Sequence, residues 1–413
     1  MKFATYQVPP NVRGRRFNPT RSSGVSWVRF GSEALLFASE AQWKGLAKKA
    51  DLQIRDDIAP VRKRVHIVVQ NGRLFQQEHP EVPVIVDRGR FLLVELDADR
   101  ARWLGRKSPT CYGVLPLRKN QVVFDVQERA AARAKPRAAI QKLVDKLSRP
   151  TFEAMLTRLV SLPTRFSTSA HYASAADEAR NQLTAMHYET KFQNITVNGS
   201  ASRNVIAEKK GDTGGVRKVV LVTAHLDSIN LQGGPTANAP GADDNGSGSA
   251  GLLEMARVFQ DHRNKHNLRF ILFGGEEEGL FGSKHYVAKL SASERAKIRA
   301  VVNMDMIASM NTSTRSVLLE GAPLSQKIMN GLKEAAATYT RLTVETSLNP
   351  FASDHVPFIN KGIPAVLTIE GADNTNSRIH SGNDTIDHIK PNFALEILRM
   401  NVAFVAREVD QMT

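Results

Sequence analysis

Three apolar runs in the second half of the chain each lead to residue types that bind metals, and this pattern limits the possible folds most. Residues 219–222 are β-branched and apolar, which is typical of a buried strand, and His225 follows them. Residues 269–273 lead into two glycines and three glutamates, and residues 300–303 lead to Asp305. Because sites in open α/β sheets gather at the carboxyl ends of strands, we expect one site where these three strands end.

Five residues of metal-ligand type follow one another at the spacing of a two-metal hydrolase site: His225, Asp244, Glu277, Asp305 and His380. Each segment alone has an ordinary explanation. A His-x-Asp pair can be structural, the Gly- and Asp-rich stretch around Asp244 can be a turn or a capped helix start, and a glutamate run can be a solvated helix face. These glutamates abut an apolar strand and glycines, where three solvated charges are not expected. The five segments together indicate a metal site, with one carboxylate left to act as a base.

Two further segments can support these side chains. Residues two apart on an extended chain point the same way, so Asp227 can accept a hydrogen bond from the imidazole of His225 and fix its tautomer. The triplet Ser353-Asp354-His355 can support the site in a similar way. Alternatively, Ser353 or Asp354 caps a helix that follows, and both roles are compatible.

These motifs resemble those of peptidase family M28, the co-catalytic zinc peptidases that include the bacterial leucine-type aminopeptidases. The resemblance covers the chain from about residue 150 to its C-terminus, with the motifs in the family's order. It implies an α/β fold of the zinc exopeptidase type, with a central mixed, mostly parallel sheet flanked by helices. It also implies two Zn²⁺ ions per chain.

The resemblance assigns a role to each of the five residues. It makes Asp244 the ligand that bridges both metals. It pairs the remaining four ligands by metal: His225 and Asp305 for one, Glu277 and His380 for the other. It also implies a cis peptide bond directly after Asp244.

The family pattern sets the register within the three glutamates, which the residues alone do not separate. Glu276 is implied to be the general base, which takes a proton from the attacking water and returns it to the leaving amine. Glu278 is then structural or solvent-facing, and Asp227 is the carboxylate behind His225. Relatives of this type often have a tyrosine near the last ligand that stabilises the oxyanion. Here Ile379 precedes His380.

The function that follows is a metallo-aminopeptidase, a hydrolase that releases N-terminal residues from peptides. A carboxypeptidase of the same fold, acting on acidic C-termini, is the alternative within hydrolases. It needs a cationic clamp for the substrate carboxylate, and Arg378 is one conceivable member. A binding or transferase relative without peptidase activity is the other alternative, although five ligands and a base argue against a lost ligand.

The positive charge of the chain is concentrated in its first third. Residues 1–137 hold 26 Lys and Arg against 13 Asp and Glu, whereas the remaining residues hold 30 against 28. A chain of 413 residues exceeds one ordinary domain. We expect a small basic α+β domain over residues 1–135 and a peptidase domain over residues 136–413, joined by an Ala- and Arg-rich linker at residues 127–135.

The first domain carries none of the ligand motifs. Its residues predict strands at 64–69, 82–86 and 91–96 and helices at 32–50 and 98–104. We expect it to cover or shape the active-site mouth; the alternative is a packing domain needed only for solubility. Few aromatic residues are interleaved with its basic residues, so peptides, and not nucleic acids, are the expected partners.

The remaining features concern the compartment of the protein. No apolar run approaches the roughly 20 residues of a membrane span. The first residues show no apolar segment of a secretory signal, which favours a cytoplasmic location over a secreted or periplasmic one. The single cysteine, Cys111, excludes an internal disulfide and fits a reducing compartment. The oligomeric state stays open.

Overall fold

The computed structural model describes residues 2–8, 25–39, 42, 52–55, 64–107, 112–127, 135–212 and 217–410. They form two compact units. The first comprises Met1–Gln127 and Glu345–Phe351, and the second comprises Glu128–Val344 and Ala352–Thr413. The domain boundary near residue 135 stays a prediction, since most of the expected linker, like Cys111, lies outside the described residues. Among the described helices, none combines the length and apolarity that a membrane crossing requires.

The described residues of the first unit include two sheets and two helices. The strands of its first sheet, in chain order, are β1 (Lys2–Gln7), β2 (Ser26–Phe30), β3 (Glu33–Ala38), β4 (Leu52–Arg55) and β9 (Gln121–Gln127). The second sheet and the helices are β5 (Val65–Gln70), β6 (Val84–Arg88), β7 (Phe91–Glu95), β8 (Tyr112–Pro116), α1 (Leu74–Glu78) and α2 (Ala98–Lys107). The strand orders are β9-β2-β3-β1-β4 and β6-β7-β5-β8. Four of the elements predicted for this region are confirmed, namely strands β5, β6 and β7 and helix α2.

The helix predicted over residues 32–50 is wrong over residues 33–38. Glu33–Ala38 is strand β3, which pairs antiparallel with β1 on one side and β2 on the other. Gly31, at a φ of 59°, allows the tight turn between β2 and β3. Five of the six residues of β3 are buried, and periodicity cannot distinguish such a continuous apolar run from a buried helix. Gln42 is helical, and residues 40, 41 and 43–50 lie outside the described part of the chain.

The second unit is built around a mixed sheet with strand order β10-β11-β13-β12-β14-β17-β15. Its strands are β10 (Glu189–Val197), β11 (Ser200–Lys209), β12 (Val219–His225), β13 (Asn267–Phe273), β14 (Ile298–Met304), β15 (Ser316–Glu320) and β17 (Ala365–Glu370). Strand β16 (Thr343–Ser347) carries the chain from the second unit into the first. Strands β13, β12, β14 and β17 are parallel, and the outer pairs are antiparallel. The predicted α/β class with a mixed sheet is confirmed.

Helices cover both faces of the parallel strands. The helices of this unit are α3 (Ala138–Val144), α4 (Arg149–Val160), α5 (Ala170–Ala185), α6 (Gly248–Phe259), α7 (Phe281–Lys289), α8 (Ala292–Lys297), α9 (Gln326–Tyr339), α10 (His355–Asn360) and α11 (Pro391–Asp410). Tyr286 of α7 and Phe358 of α10 pack with Leu221, Phe273 and Val301 on one face of the sheet. The alternate residues of β12 are buried as well, and α6 and α11 pack against β12 and β14. Both faces of the parallel strands are therefore covered, and their carboxyl ends lie between these helical layers.

Candidate metal centre

Two groups of three ligand-type side chains meet at the carboxyl ends of the parallel strands. His225, Asp244 and Asp305 form one group, and Asp244, Glu277 and His380 form the other. Within each group the candidate ligand atoms lie within 4.8 Å of one another. The structure therefore brings all five predicted residues together and places Asp244 in both groups.

Each oxygen of Asp244 faces one imidazole. Its Oδ1 lies 3.3 Å from Nε2 of His225, and its Oδ2 lies 3.0 Å from Nε2 of His380. The same two nitrogens have a second carboxylate nearby: Oδ1 of Asp305 at 3.3 Å and Oε2 of Glu277 at 3.1 Å, respectively. The two groups are thus similar in composition and are joined through a single carboxylate.

The fold explains why these residues meet. Strand β12 ends at His225, and its parallel neighbours β13 and β14 end shortly before Glu277 and Asp305. Asp244 lies in the turn Ala242–Ser247, where its own backbone is not helical, and its peptide bond to the next residue is cis, as the family resemblance implied. The side chain of Asn245 fixes this turn, since it donates to the Met304 carbonyl and accepts from the Gly248 amide, both at 2.9 Å.

The composition of the site fits divalent cations. Five buried or nearly buried carboxylates surround two imidazoles: Asp227, Asp244, Glu276, Glu277 and Asp305. Burying this much negative charge without compensating cations is costly. Among the described residues, Oε1 of Glu277 is buried without a hydrogen-bond partner. Imidazole nitrogens and carboxylate oxygens are the donors that zinc takes in catalytic sites, so each group fits one zinc ion.

The protonation of the site follows from burial and from these close contacts. Burial, helped by the charge of Asp244, raises the pKa of Glu277 to about 7. Burial also raises the pKa of Glu276 well above its ordinary value. Burial alone would lower the pKa of His225 and His380, but the surrounding carboxylates raise both well above the ordinary value. Burial opposes ionisation of Asp244, yet the hydrogen bonds from the two imidazoles outweigh it and lower its pKa. Coordination requires deprotonated ligands, so bound cations would displace these protons.

Comparison with known proteins supports the family resemblance. Residues 204–405 match the family model described as peptidase family M28. The matched region, 202 of the 413 residues, is similar to peptidase family M28. This similarity agrees with the class predicted from the sequence, a hydrolase of peptide bonds.

Several curated proteins are similar to this chain. Leupeptin-inactivating enzyme 1 of Streptomyces exfoliatus is 35% identical over 50% of this chain and 45% of that protein. Aminopeptidase YwaD of Bacillus subtilis is 34% identical over 46% of this chain and 40% of that protein. The chain thus spans less than half the length of these two relatives. Leucine aminopeptidase 1 of Arthroderma otae is 27% identical over 78% of this chain and 93% of that protein.

Solved structures show that the fold is shared. The LapA aminopeptidase of Legionella pneumophila superimposes with a TM-score of 0.62 at 18% identity, over 86% of this chain and all of that chain (100%). A zinc aminopeptidase from Bacillus subtilis gives a TM-score of 0.57 at 19% identity, over 64% and 96%. A glutaminyl cyclase from Porphyromonas gingivalis gives 0.53 at 19% identity, over 64% and 99%. Because a cyclase has this fold too, the fold alone does not determine the reaction.

In the candidate metal centre, Asp227 lies beside His225, but the expected hydrogen bond between their side chains is not formed. Nδ1 of His225 lies 3.2 Å from the backbone carbonyl of Asp227 and 3.7 Å from its nearest carboxylate oxygen. A proton on Nδ1 that is donated to this carbonyl leaves Nε2 free to bind a metal. The Asp227 carboxylate instead accepts a hydrogen bond from the Glu277 amide at 3.1 Å. Asp227 therefore contacts segments of both candidate metal groups.

The remaining sequence alternatives have different outcomes. Ser353 supports the site, because its hydroxyl donates to Oδ2 of Asp305 at 2.6 Å. Asp354 precedes helix α10, but its side chain makes no capping hydrogen bond.

Glu278 is not solvent-facing, since it is largely buried and accepts a 2.6 Å hydrogen bond from Ser167. Burial, together with the charge of Asp227, raises the pKa of Glu278 to about 8. A structural role for Glu278 is the alternative that agrees with these contacts.

Sequence reasoning missed Asp384, which holds the segment of Asp244. Its carboxylate accepts hydrogen bonds from the backbone amides of Asp243 at 3.0 Å and Asp244 at 2.9 Å. Burial raises the pKa of Asp384 to about 8, and the charge of Asp243 contributes. The one sequence signal that could have identified Asp384 is its position in the same short segment as His380.

Sequence reasoning also missed Arg165, a fully buried cation that connects two ligand segments. Its guanidinium donates to the carbonyls of Leu226 and Gly241, both at 2.8 Å, and also to those of Leu159 and Pro240. Leu226 directly follows His225, and Gly241 lies three residues before Asp244. No motif marks Arg165, because its partners are backbone carbonyls that only folding brings together.

We expect Arg165→Met to destabilise the second unit by about 3–5 kcal/mol, because it leaves several buried carbonyls without donors. Urea unfolding followed by circular dichroism measures the loss. Arg158→Met is the matched control, since Arg158 is an exposed arginine paired with Glu178 and its loss should cost less than about 1 kcal/mol. Equal destabilisation by the two substitutions would contradict the role of Arg165.

Proposed function

We propose that the chain is a two-zinc aminopeptidase that releases N-terminal residues from peptides. The observation that carries the proposal is the division of Asp244 between the two ligand groups, with one oxygen facing each imidazole. A single bridging carboxylate suits two cations about 3.5–4 Å apart, as in two-metal hydrolases. His225 and Asp305 would complete one zinc site, and Glu277 and His380 the other.

Zinc ions bound in these groups would polarise the substrate carbonyl and lower the pKa of the attacking water. Glu276 is the residue that we propose to move the proton. It belongs to neither ligand group of the described residues, it is 8% exposed, and it is near enough to His225 and Glu277 for their charges to act on it. Its raised pKa, caused first by burial, suits a carboxylate that accepts a proton and passes it to the leaving amine.

The choice between amino- and carboxypeptidase rests on the relatives and on Arg378. Relatives that align along most of their length are named leucine aminopeptidase, which supports the aminopeptidase. One observation favours the carboxypeptidase: Nε of Arg378 is buried and has no hydrogen-bond partner among the described residues. Such a group, two residues before His380, could receive a substrate carboxylate.

A substrate panel separates these two activities. We expect leucyl-p-nitroanilide to be cleaved at least roughly 100-fold faster than N-acetylated peptides, because a site that binds a free amine rejects its blocked analogue. The quantity to measure is kcat/KM for each substrate, with Arg378→Met as a matched variant. Faster cleavage of N-acetylated peptides with acidic C-termini, lost in Arg378→Met, would assign the carboxypeptidase instead.

Metal dependence is a separate prediction. We expect dialysis against a chelator to abolish activity and added zinc to restore it, since ligands from separate segments have to be gathered by the metal. Metal analysis of the reconstituted protein should give about two zinc ions per chain. Fewer than one equivalent after reconstitution would exclude a two-zinc enzyme.

The remaining expectations also stay proposals. The first unit contains none of the candidate ligands, and an accessory role for residues 1–135 beside the peptidase domain agrees with this. The cytoplasmic location stays a prediction.

A further inference from the structure

The first unit includes a segment that the chain contributes from its second half. Residues Glu345–Phe351 belong to this unit, and the chain re-enters the second unit at Ala352. Within the first unit, the amide of Asn349 donates to the Val123 carbonyl at 2.8 Å and accepts from the Gln121 side chain at 3.2 Å. The hydroxyl of Ser347 donates to the same carbonyl of Val123 at 2.9 Å. Strand β9 therefore holds the segment through several side-chain hydrogen bonds.

The end of the segment is held by a second part of the first unit. The ring of Phe351 lies so close to Gly113 of strand β8 that a side chain on this glycine would meet it at 2.9 Å. The carbonyl of Phe351 accepts a 3.5 Å hydrogen bond from the buried guanidinium of Arg90. The first unit thus fixes the chain up to the last residue before it leaves.

The residues that follow lead to the candidate metal centre within two positions. Ala352 is buried and has a φ of 39°, a left-handed backbone that residues with a Cβ adopt only where their surroundings impose it. Ser353 then donates to Oδ2 of Asp305 at 2.6 Å and accepts from Nδ2 of Asn303 at 2.9 Å. Both oxygens of Asp305 are thereby oriented, since its Oδ1 lies 3.3 Å from Nε2 of His225.

We propose that the first unit positions Asp305 through the chain itself. The first unit fixes the positions of Asn349 and Phe351. These positions constrain the backbone at Ala352. That backbone in turn determines where the hydroxyl of Ser353 meets Asp305. Hydrogen bonds to a ligating carboxylate typically change metal affinity by about 10- to 100-fold. Weakening the hold on Asn349 lets Ala352 relax and moves Ser353 away from Asp305. Only the metal between His225, Asp244 and Asp305 should then bind more weakly. The inference rests on the proposed zinc site.

The test uses the full-length protein and zinc as the probe. Asn349→Ala should lower the affinity for one of the two zinc ions by roughly twofold to thirtyfold and leave the affinity for the other unchanged. Competition with a chromophoric chelator measures both affinities. The absorption spectrum of the cobalt-substituted protein should change for the same site. If Asn349→Ala does not fold, Ser347→Ala takes its place as a smaller change in the same segment. It should also lower the affinity for the same zinc ion. Gln76→Ala is the matched control, because Gln76 is a hydrogen-bonded amide elsewhere in the first unit.

A double-mutant cycle identifies the route. Ser353→Ala should weaken the same zinc by about 10- to 100-fold, and Ser353→Thr, which keeps the hydroxyl, should restore the affinity. In the Ser353→Ala background, Asn349→Ala should have no further effect on zinc binding. An equal effect in both backgrounds, or an effect no larger than that of Gln76→Ala, would overturn the inference. Failure of the unmodified protein to bind two zinc ions would instead reject the proposed function.

Discussion

Glu276→Gln should lower kcat by roughly 10²- to 10⁴-fold while the zinc content stays near that of the unmodified protein. Glutamine has nearly the shape of glutamate but cannot accept the proton of the attacking water, and general-base catalysis typically contributes a factor of this size. Zinc should remain, because Glu276 belongs to neither ligand group among the described residues. Stopped-flow or steady-state kinetics with an aminoacyl-p-nitroanilide gives kcat, and metal analysis of the same sample gives the zinc content.

The neighbouring residue provides the control. Glu277→Gln removes the carboxylate whose Oε2 lies 3.1 Å from His380, so it should lower the affinity for one zinc ion. Its activity should recover partly when excess zinc is supplied, whereas that of Glu276→Gln should not. If Glu276→Gln loses the metal and Glu277→Gln keeps it without turnover, the register assigned within the three glutamates is wrong by one residue.

The site could be predicted from the sequence to the extent that its residues follow recognisable strands or motifs. His225 and Asp305 follow apolar β-branched runs, and parallel strands bring their ends to one edge of the sheet. Asp244 and His380 lie on irregular segments, and the family motif, not periodicity, identified them. The order of base and ligand among the glutamates also came from the family pattern. The structure places each of these side chains at the site, although their roles stay to be tested.

What the sequence did not reveal depends on contacts between distant parts of the chain. Ser347 bonds to Val123 across 224 residues, so its membership of the first unit has no local signal. Arg165 binds carbonyl groups, which every residue type possesses. The sequence of strand β3 also fits a helix, because a strand that is buried on both faces lacks the alternation of polar and apolar residues that identifies a strand. In each case the missing information is how distant parts of the chain pack in the tertiary structure.

Asp244→Asn should cause the largest loss of metal of any single ligand substitution. Asparagine replaces one ligating oxygen with an amide nitrogen that carries two protons and cannot coordinate, and it removes the negative charge shared by the two groups. Both zinc sites should therefore weaken, and hydrolysis should be undetectable at zinc concentrations that saturate the unmodified protein. Since two imidazoles currently face the two oxygens, the amide group also meets one imidazole nitrogen at about the distance of a hydrogen bond.

Asp305→Asn is the control that distinguishes a bridging ligand from a terminal one. Asp305 belongs only to the group with His225 and Asp244, so its substitution should leave the zinc between Asp244, Glu277 and His380 in place. After dialysis against metal-free buffer, Asp305→Asn should retain about one zinc per chain and Asp244→Asn clearly less. The bridging role would be refuted by an Asp244→Asn protein that keeps one tightly bound zinc while Asp305→Asn loses both. Asp244 would then be an ordinary terminal ligand, and the two groups would have to bind their metals independently of each other.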